Sequence, residues 1–275
     1  MTAYYISLLV MSLVSVTLLA VWLIRTRLGT KALIETEYRR NSMPYYLPVA
    51  VVCGWLGIYI IAAQLTKNFA QQLPDWQQEF ITYSIFAFVE AVIIVFILVA
   101  ARKYFTAGLA GFGLHTKGIL NDIAAAAAIF IAVWPLVTAA LFIVVKVGTI
   151  IEGPDFQMEQ NEGLVVIFEN SQLSLRILMI SFAAVLTPVF EELVFRGLVQ
   201  SHFRNLGYSP WQAIFIASVI FSLLHPWMHL PALMILSIAM GYAYEKSGSL
   251  LRSIFIHSIF NSTMIAFALF SNRAI

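Results

Sequence analysis

The chain has 275 residues, of which 61% are hydrophobic and 11% charged, with a mean hydropathy of +0.87. That balance excludes an ordinary soluble domain and describes a polytopic membrane protein. The net charge of +2 selects no partner, no nucleic-acid, nucleotide or lipidation motif occurs, and the single cysteine, Cys53, excludes a disulfide framework or a cysteine-based metal site.

Apolar runs of about 20 residues cross roughly 30 Å of hydrocarbon. They occur at 3–24, 44–65, 80–101, 119–145, 173–203, 209–226, 229–245 and 250–271. The expected fold is all-α, a polytopic transmembrane helical bundle of about eight spans. The first run has neither a basic flank nor a small-residue cleavage site, so it reads as a retained spanning helix and not a signal peptide. Pro135 in the fourth run and Pro188 in the fifth are helix breakers that a bundle tolerates when neighbouring helices satisfy the freed carbonyls. The connection 146–172, with Glu152, Asp155, Glu159, Glu162 and Glu169, is the longest polar segment and has room for one short interfacial helix.

Arg25, Arg27, Lys31, Arg39 and Arg40 place the 25–43 loop on the cytoplasmic side, and Arg102, Lys103 and Lys117 do the same for 102–118. The turns near Arg204 and near Lys246 and Arg252 then share that side, with the acidic connection and both termini opposite. The expected organisation is an N-terminal half, 1–172, of four spans plus the acidic connection, followed by a C-terminal half, 173–275. The compact loops fit a bacterial inner membrane, with the lipid bilayer as the main surroundings. Nothing in the sequence sets the oligomeric state.

An ionisable side chain at the centre of a span costs about 3 kcal/mol even on the lenient insertion scale. Glu191, Glu192 and Arg196 nevertheless fall within six residues of one apolar run, and the other buried candidates are Glu90, His225, His257 and Asn261. Residues four apart share a helix face, whereas adjacent residues point about 100° apart. Glu192 and Arg196 therefore form a structural ion pair, leaving Glu191 as the freer carboxylate. By the same spacing, His257 and Asn261 project toward one target. Counted from the turn near Gly207 at about 1.5 Å per residue, Glu191 and His225 come out roughly level, 16 residues back and 18 forward. Glu90 has no matching motif; pairing with Arg196, lining a cavity and core polarity all remain open for it.

Glu191-Glu192-Leu-Val-Phe-Arg196, Phe221-Ser-Leu-Leu-His225 and His257-Ser-Ile-Phe-Asn261 follow one another as EExxxR, FxxxH and HxxxN. In that order they resemble the three motifs of the CPBP family, the CAAX-processing and bacteriocin-processing (Abi-type) intramembrane proteases. The resemblance covers about 173–271. It implies a glutamate-type endopeptidase in which Glu191 and His225 activate a water while His257 and Asn261 steady the oxyanion, with Glu192 and Arg196 as structural support and no cofactor. The chemistry of the residues agrees. A carboxylate and an imidazole in a dry site are suited to proton transfer, and fixed donors stabilise the charge that gathers on a carbonyl oxygen. The implied substrate is a peptide or membrane protein, of unspecified identity.

Two rivals stand beside this reading. Glu191, His225 and His257 also form a two-histidine, one-carboxylate set for a zinc-dependent membrane protease. Asn261 is a poor zinc ligand and no HExxH occurs, which favours the metal-free mechanism. The second rival is a non-catalytic membrane scaffold or immunity protein, in which His257 and Asn261 hydrogen-bond between helices. A transporter fits less well, since no related halves are visible.

Overall fold

The computed structural model describes residues 2–36, 39–158 and 162–271. Glu159 of the acidic connection and residues 272–275 of the C-terminal half lie outside them. The long helices are α1 (Thr2–Arg25), α2 (Leu47–Phe69), α3 (Asp75–Tyr104) and α4 (Ile119–Glu152), then the short α5 (Glu162–Glu169). There follow α6, a composite helix over Leu173–Asn205, then α7 (Pro210–Leu223), α8 (Leu230–Ser247) and α9 (Leu250–Ser271). No β-strand occurs among the described residues, so the all-α expectation holds.

Among the described residues, six helices are long and apolar enough to cross a membrane: α2, α3, α4, α6, α8 with the turn before it, and α9. Of the other two expected spans, α1 is apolar over Val10–Arg25 and α7 has 14 residues. At about 1.5 Å per residue α7 covers roughly 21 Å, less than the hydrocarbon thickness. Large apolar side chains such as Ile60, Val95, Phe142 and Val185 are exposed on these helices, as a lipid-facing surface requires. The protein is an integral, multi-pass membrane protein. The acidic connection is shorter than expected because α4 continues to Glu152, and it carries the single short helix, α5.

Compactness divides the chain into two units, each drawn from both halves of the sequence. The first comprises Met1–Tyr38, Gly113–Glu159 and Phe203–Ile256. Its α7 begins at a capping box, with Ser209 and Gln212 exchanging side-chain and backbone hydrogen bonds ahead of Pro210. Its α8 ends at Gly248, whose φ of 75° is the left-handed conformation that closes a helix and is strained for a residue with a Cβ. Pro135 cannot bond the carbonyl of Ile131, and Ser15 of α1 donates to that carbonyl at 2.7 Å instead. At one end of this unit Trp211 Nε1 donates to Gly29 O, Arg204 pairs with Glu245 at 2.8 Å, and Asp122 holds both Ser249 and Arg252. The turns near Gly29, Gly118, Gly207 and Gly248 thus gather at the same end, as their basic residues led one to expect.

The second unit comprises Arg39–Phe112, Gln160–His202 and His257–Ile275. Here α2 and α3 flank the first thirty residues of α6. Trp55 of α2 packs against Phe190, Tyr59 stacks on Phe86 of α3 at 4.0 Å, and Tyr83 meets Phe182. Val166, Ile167, Leu175, Met179 and Ile265 form a core cluster under Trp76, Phe80 and Tyr83. Every residue from Phe190 to Ser201 is buried, so this stretch of α6 is encased on all sides.

Candidate active site

Within α6, Phe182–Leu186 and Leu193–Gln200 are π-helical and bracket a short α-helical segment, Thr187–Glu192. Widened turns of this kind occur preferentially at functional sites. The first has a visible cause. Thr187 N–H bonds Phe182 O, five residues back, and in that register the next donor would come from residue 188, which is proline. The carbonyl this leaves, that of Ala183, accepts from Asn261 Nδ2 at 2.8 Å. A neighbouring helix thus replaces the hydrogen bond that Pro188 cannot make.

The α-helical segment delivers both glutamates into a sealed environment, with Glu191 6% and Glu192 0% exposed. Arg196, also fully buried, donates Nε–H to Glu192 Oε2 at 2.9 Å, the i, i+4 pair expected from spacing. Glu192 does more than pair with arginine. Its other oxygen lies 3.1 Å from His257 Nδ1. A carboxylate held by a guanidinium only accepts, so Nδ1 carries the hydrogen and the tautomer of His257 is fixed. Its other nitrogen, Nε2, then lies 3.6 Å from Glu191 Oε2. The imidazole stands between two adjacent carboxylates that serve it differently, one orienting it and one facing its reactive nitrogen.

Arg196 and Glu192 carry opposite charges and are buried together. The 3.6 Å between Glu191 Oε2 and His257 Nε2 is a separation that one water placed beside the line joining them would span, about 2.8 Å from each.

Glu90 is 1% exposed and accepts from Tyr59 OH at 2.7 Å and from Thr187 Oγ1 at 3.2 Å. These hydroxyls, and not Arg196, are its hydrogen-bond partners. Spacing gave no sign of Tyr59; Thr187 lies four residues before Glu191, which was the one available signal.

His225 belongs to the first unit. It follows the last turn of α7, and its Nδ1 lies 2.9 Å from Phe221 O. A carbonyl only accepts, so Nδ1 is the donor. The phenylalanine of FxxxH supplies that carbonyl and a ring at 4.8 Å. Glu191, Glu192, Arg196, His257 and Asn261 come together within the second unit, while His225 lies in the first. Among the described residues no group of three or more His, Cys, Asp or Glu side chains is arranged to hold a metal ion.

Residues 173–263 match the model of the Rce1-like family, described as type II CAAX prenyl endopeptidase. The matched segment contains all three motifs, in keeping with the resemblance drawn from EExxxR, FxxxH and HxxxN. Neither curated proteins nor solved structures give a match.

Proposed function

We propose that this chain, with its Rce1-like domain over residues 173–263, is an intramembrane endopeptidase of glutamic type that cleaves a peptide or membrane-protein substrate with an activated water. One observation carries the reading: His257 is held through Nδ1 by Glu192 while its Nε2 faces Glu191 at 3.6 Å. In the reaction Glu191 takes a proton from the water, whose oxygen attacks the scissile carbonyl carbon; His225 joins that activation only as the motif resemblance implies. Negative charge moves to the carbonyl oxygen, where His257 Nε2–H and the Asn261 amide donate. When the C–N bond breaks, Glu191 passes its proton to the departing amine. No covalent intermediate forms.

Asn261 already gives one amide hydrogen to Ala183, which leaves the second hydrogen of the same nitrogen for the oxyanion and fixes the plane in which it lies. A catalytic zinc takes three protein ligands. Here they would be Glu191, His225 and His257; the absence of HExxH and the poor ligand that Asn261 would make favour the metal-free reading. The N-terminal 1–172 serves as the supporting half of this enzyme and 173–275 as the catalytic half.

The test compares peptide and protein termini in membranes of cells carrying the wild type or Glu191→Gln. The proposal expects a set of termini that only the wild type generates, with equal amounts of folded protein in both strains. Identical profiles would leave a scaffold or immunity protein. Loss of those termini with a chelator and recovery with zinc would reinstate the metal mechanism.

A further inference from the structure

Glu90 sits in the middle of α3, outside every motif and outside the matched segment. A carboxyl buried in a membrane-spanning helix is expensive to keep and marks function unless a cation or a structural bond explains it. Its partners here are two hydroxyls. Tyr59 is itself stacked on Phe86, one turn before Glu90 on the same face of α3, so the carboxyl is held from α2 by a rigid ring. The second hydroxyl belongs to Thr187, which opens the short α-helical segment between the two π-helical stretches and shares a face with Glu191 one turn later.

We infer that Glu90 is a positioning residue of the same site: with its carboxyl fixed by Tyr59, it grips Thr187 and sets the rotation of the turn that presents Glu191 to His257. The need for such a grip follows from the local backbone. With π-helical turns on both sides and Pro188 removing a donor, the Thr187–Glu192 segment has fewer regular backbone bonds to hold its azimuth than an ordinary helix has. Glu90 holds its first residue at Thr187 and Asn261 holds the turn leading into it at Ala183, so α3 and α9 clamp this part of α6 at two points. Since a misplacement of about 1 Å in a catalytic group can cost a hundredfold in rate, this clamp has a kinetic consequence.

This inference rests on the endopeptidase reading, and its test separates the two. The readout is the rate at which the termini that distinguish wild type from Glu191→Gln appear after induction, per folded molecule, together with the melting temperature of each purified variant. Glu90→Gln can still accept from Tyr59 and bond Thr187, and it is expected within about threefold of wild type. Glu90→Leu, which removes a carboxyl from an apolar setting, is expected to fold and to be slower by roughly tenfold or more. Thr187→Val tests the same grip from the other side and is expected to match Glu90→Leu, with the double variant no slower than either. Full rate per molecule in Glu90→Leu or Thr187→Val, with only the melting temperature changed, would reduce Glu90 to a structural residue. A slow Glu90→Gln would show that the carboxyl's proton or charge matters and would overturn the positioning role. If Glu191→Gln itself yields wild-type termini, the endopeptidase reading falls first and the positioning role with it.

Discussion

Glu191 and Glu192 are neighbours in sequence with the same burial, yet their surroundings divide the work between them. Glu192 is closed in by Arg196 and His257, so its contribution is to charge balance and to the orientation of an imidazole. Glu191 faces Nε2 of the same imidazole at 3.6 Å, a separation that one water would span. Two predictions follow at this scale. Glu191→Gln should keep the fold and lower cleavage by about a hundredfold or more, the scale of a general base, as judged by termini formed per folded molecule. Glu192→Gln should instead remove the carboxylate that pairs with the buried guanidinium, at a cost of about 3–5 kcal/mol, read as a fall in melting temperature and in folded yield. Replacing both partners, as Glu192→Leu with Arg196→Met, should recover much of that stability while activity stays lost, because His257 is no longer oriented. Recovered activity in the double variant would remove Glu192 from the mechanism.

Two helices carry an internal proline, and each time a polar side chain from another helix takes over the freed carbonyl: Ser15 for Ile131 and Asn261 for Ala183. Ser15→Ala should lower stability by about 1 kcal/mol, and should become silent in a Pro135→Ala background, where the helix supplies its own donor. Denaturation of the four proteins of that cycle checks it; a cost that persists without the proline would mean Ser15 acts elsewhere. Gly197 sets a second element-level constraint, since a Cβ there would run into the ring of Phe112, which is fully buried and packed on Phe105. Gly197→Ala should therefore lower the folded yield even though alanine favours helix. Six of the eight expected spans, the i, i+4 pairing of Glu192 with Arg196 and the shared face of His257 and Asn261 were legible in the sequence, because each depends on one helix's own composition and period. The π-helical turns, the second bond of Glu192 and the hydroxyl partners of Glu90 were not. They arise from contacts between distant segments, and local periodicity carries no record of those.

Across the molecule, both compact units are assembled from segments of both halves of the chain, so a division at residue 172 describes sequence resemblance and not packing. The basic turns gather at one end of the first unit, and the cytoplasmic side expected for them is a prediction. In a Cys53→Ser background, an impermeant thiol reagent added from outside should label Asp155→Cys and leave Thr116→Cys unlabelled; the reverse pattern would invert the topology. The account as a whole depends on Glu191 and His257 acting as one unit. The most direct measurement is the cleavage rate of wild type, Glu191→Gln, His257→Ala and the double variant at a site identified from wild-type membrane termini. Groups that act together are strongly non-additive, so the double variant should be no more than about threefold slower than the slower single variant. Fully additive losses, or a Glu191→Gln enzyme as fast as wild type, would contradict it.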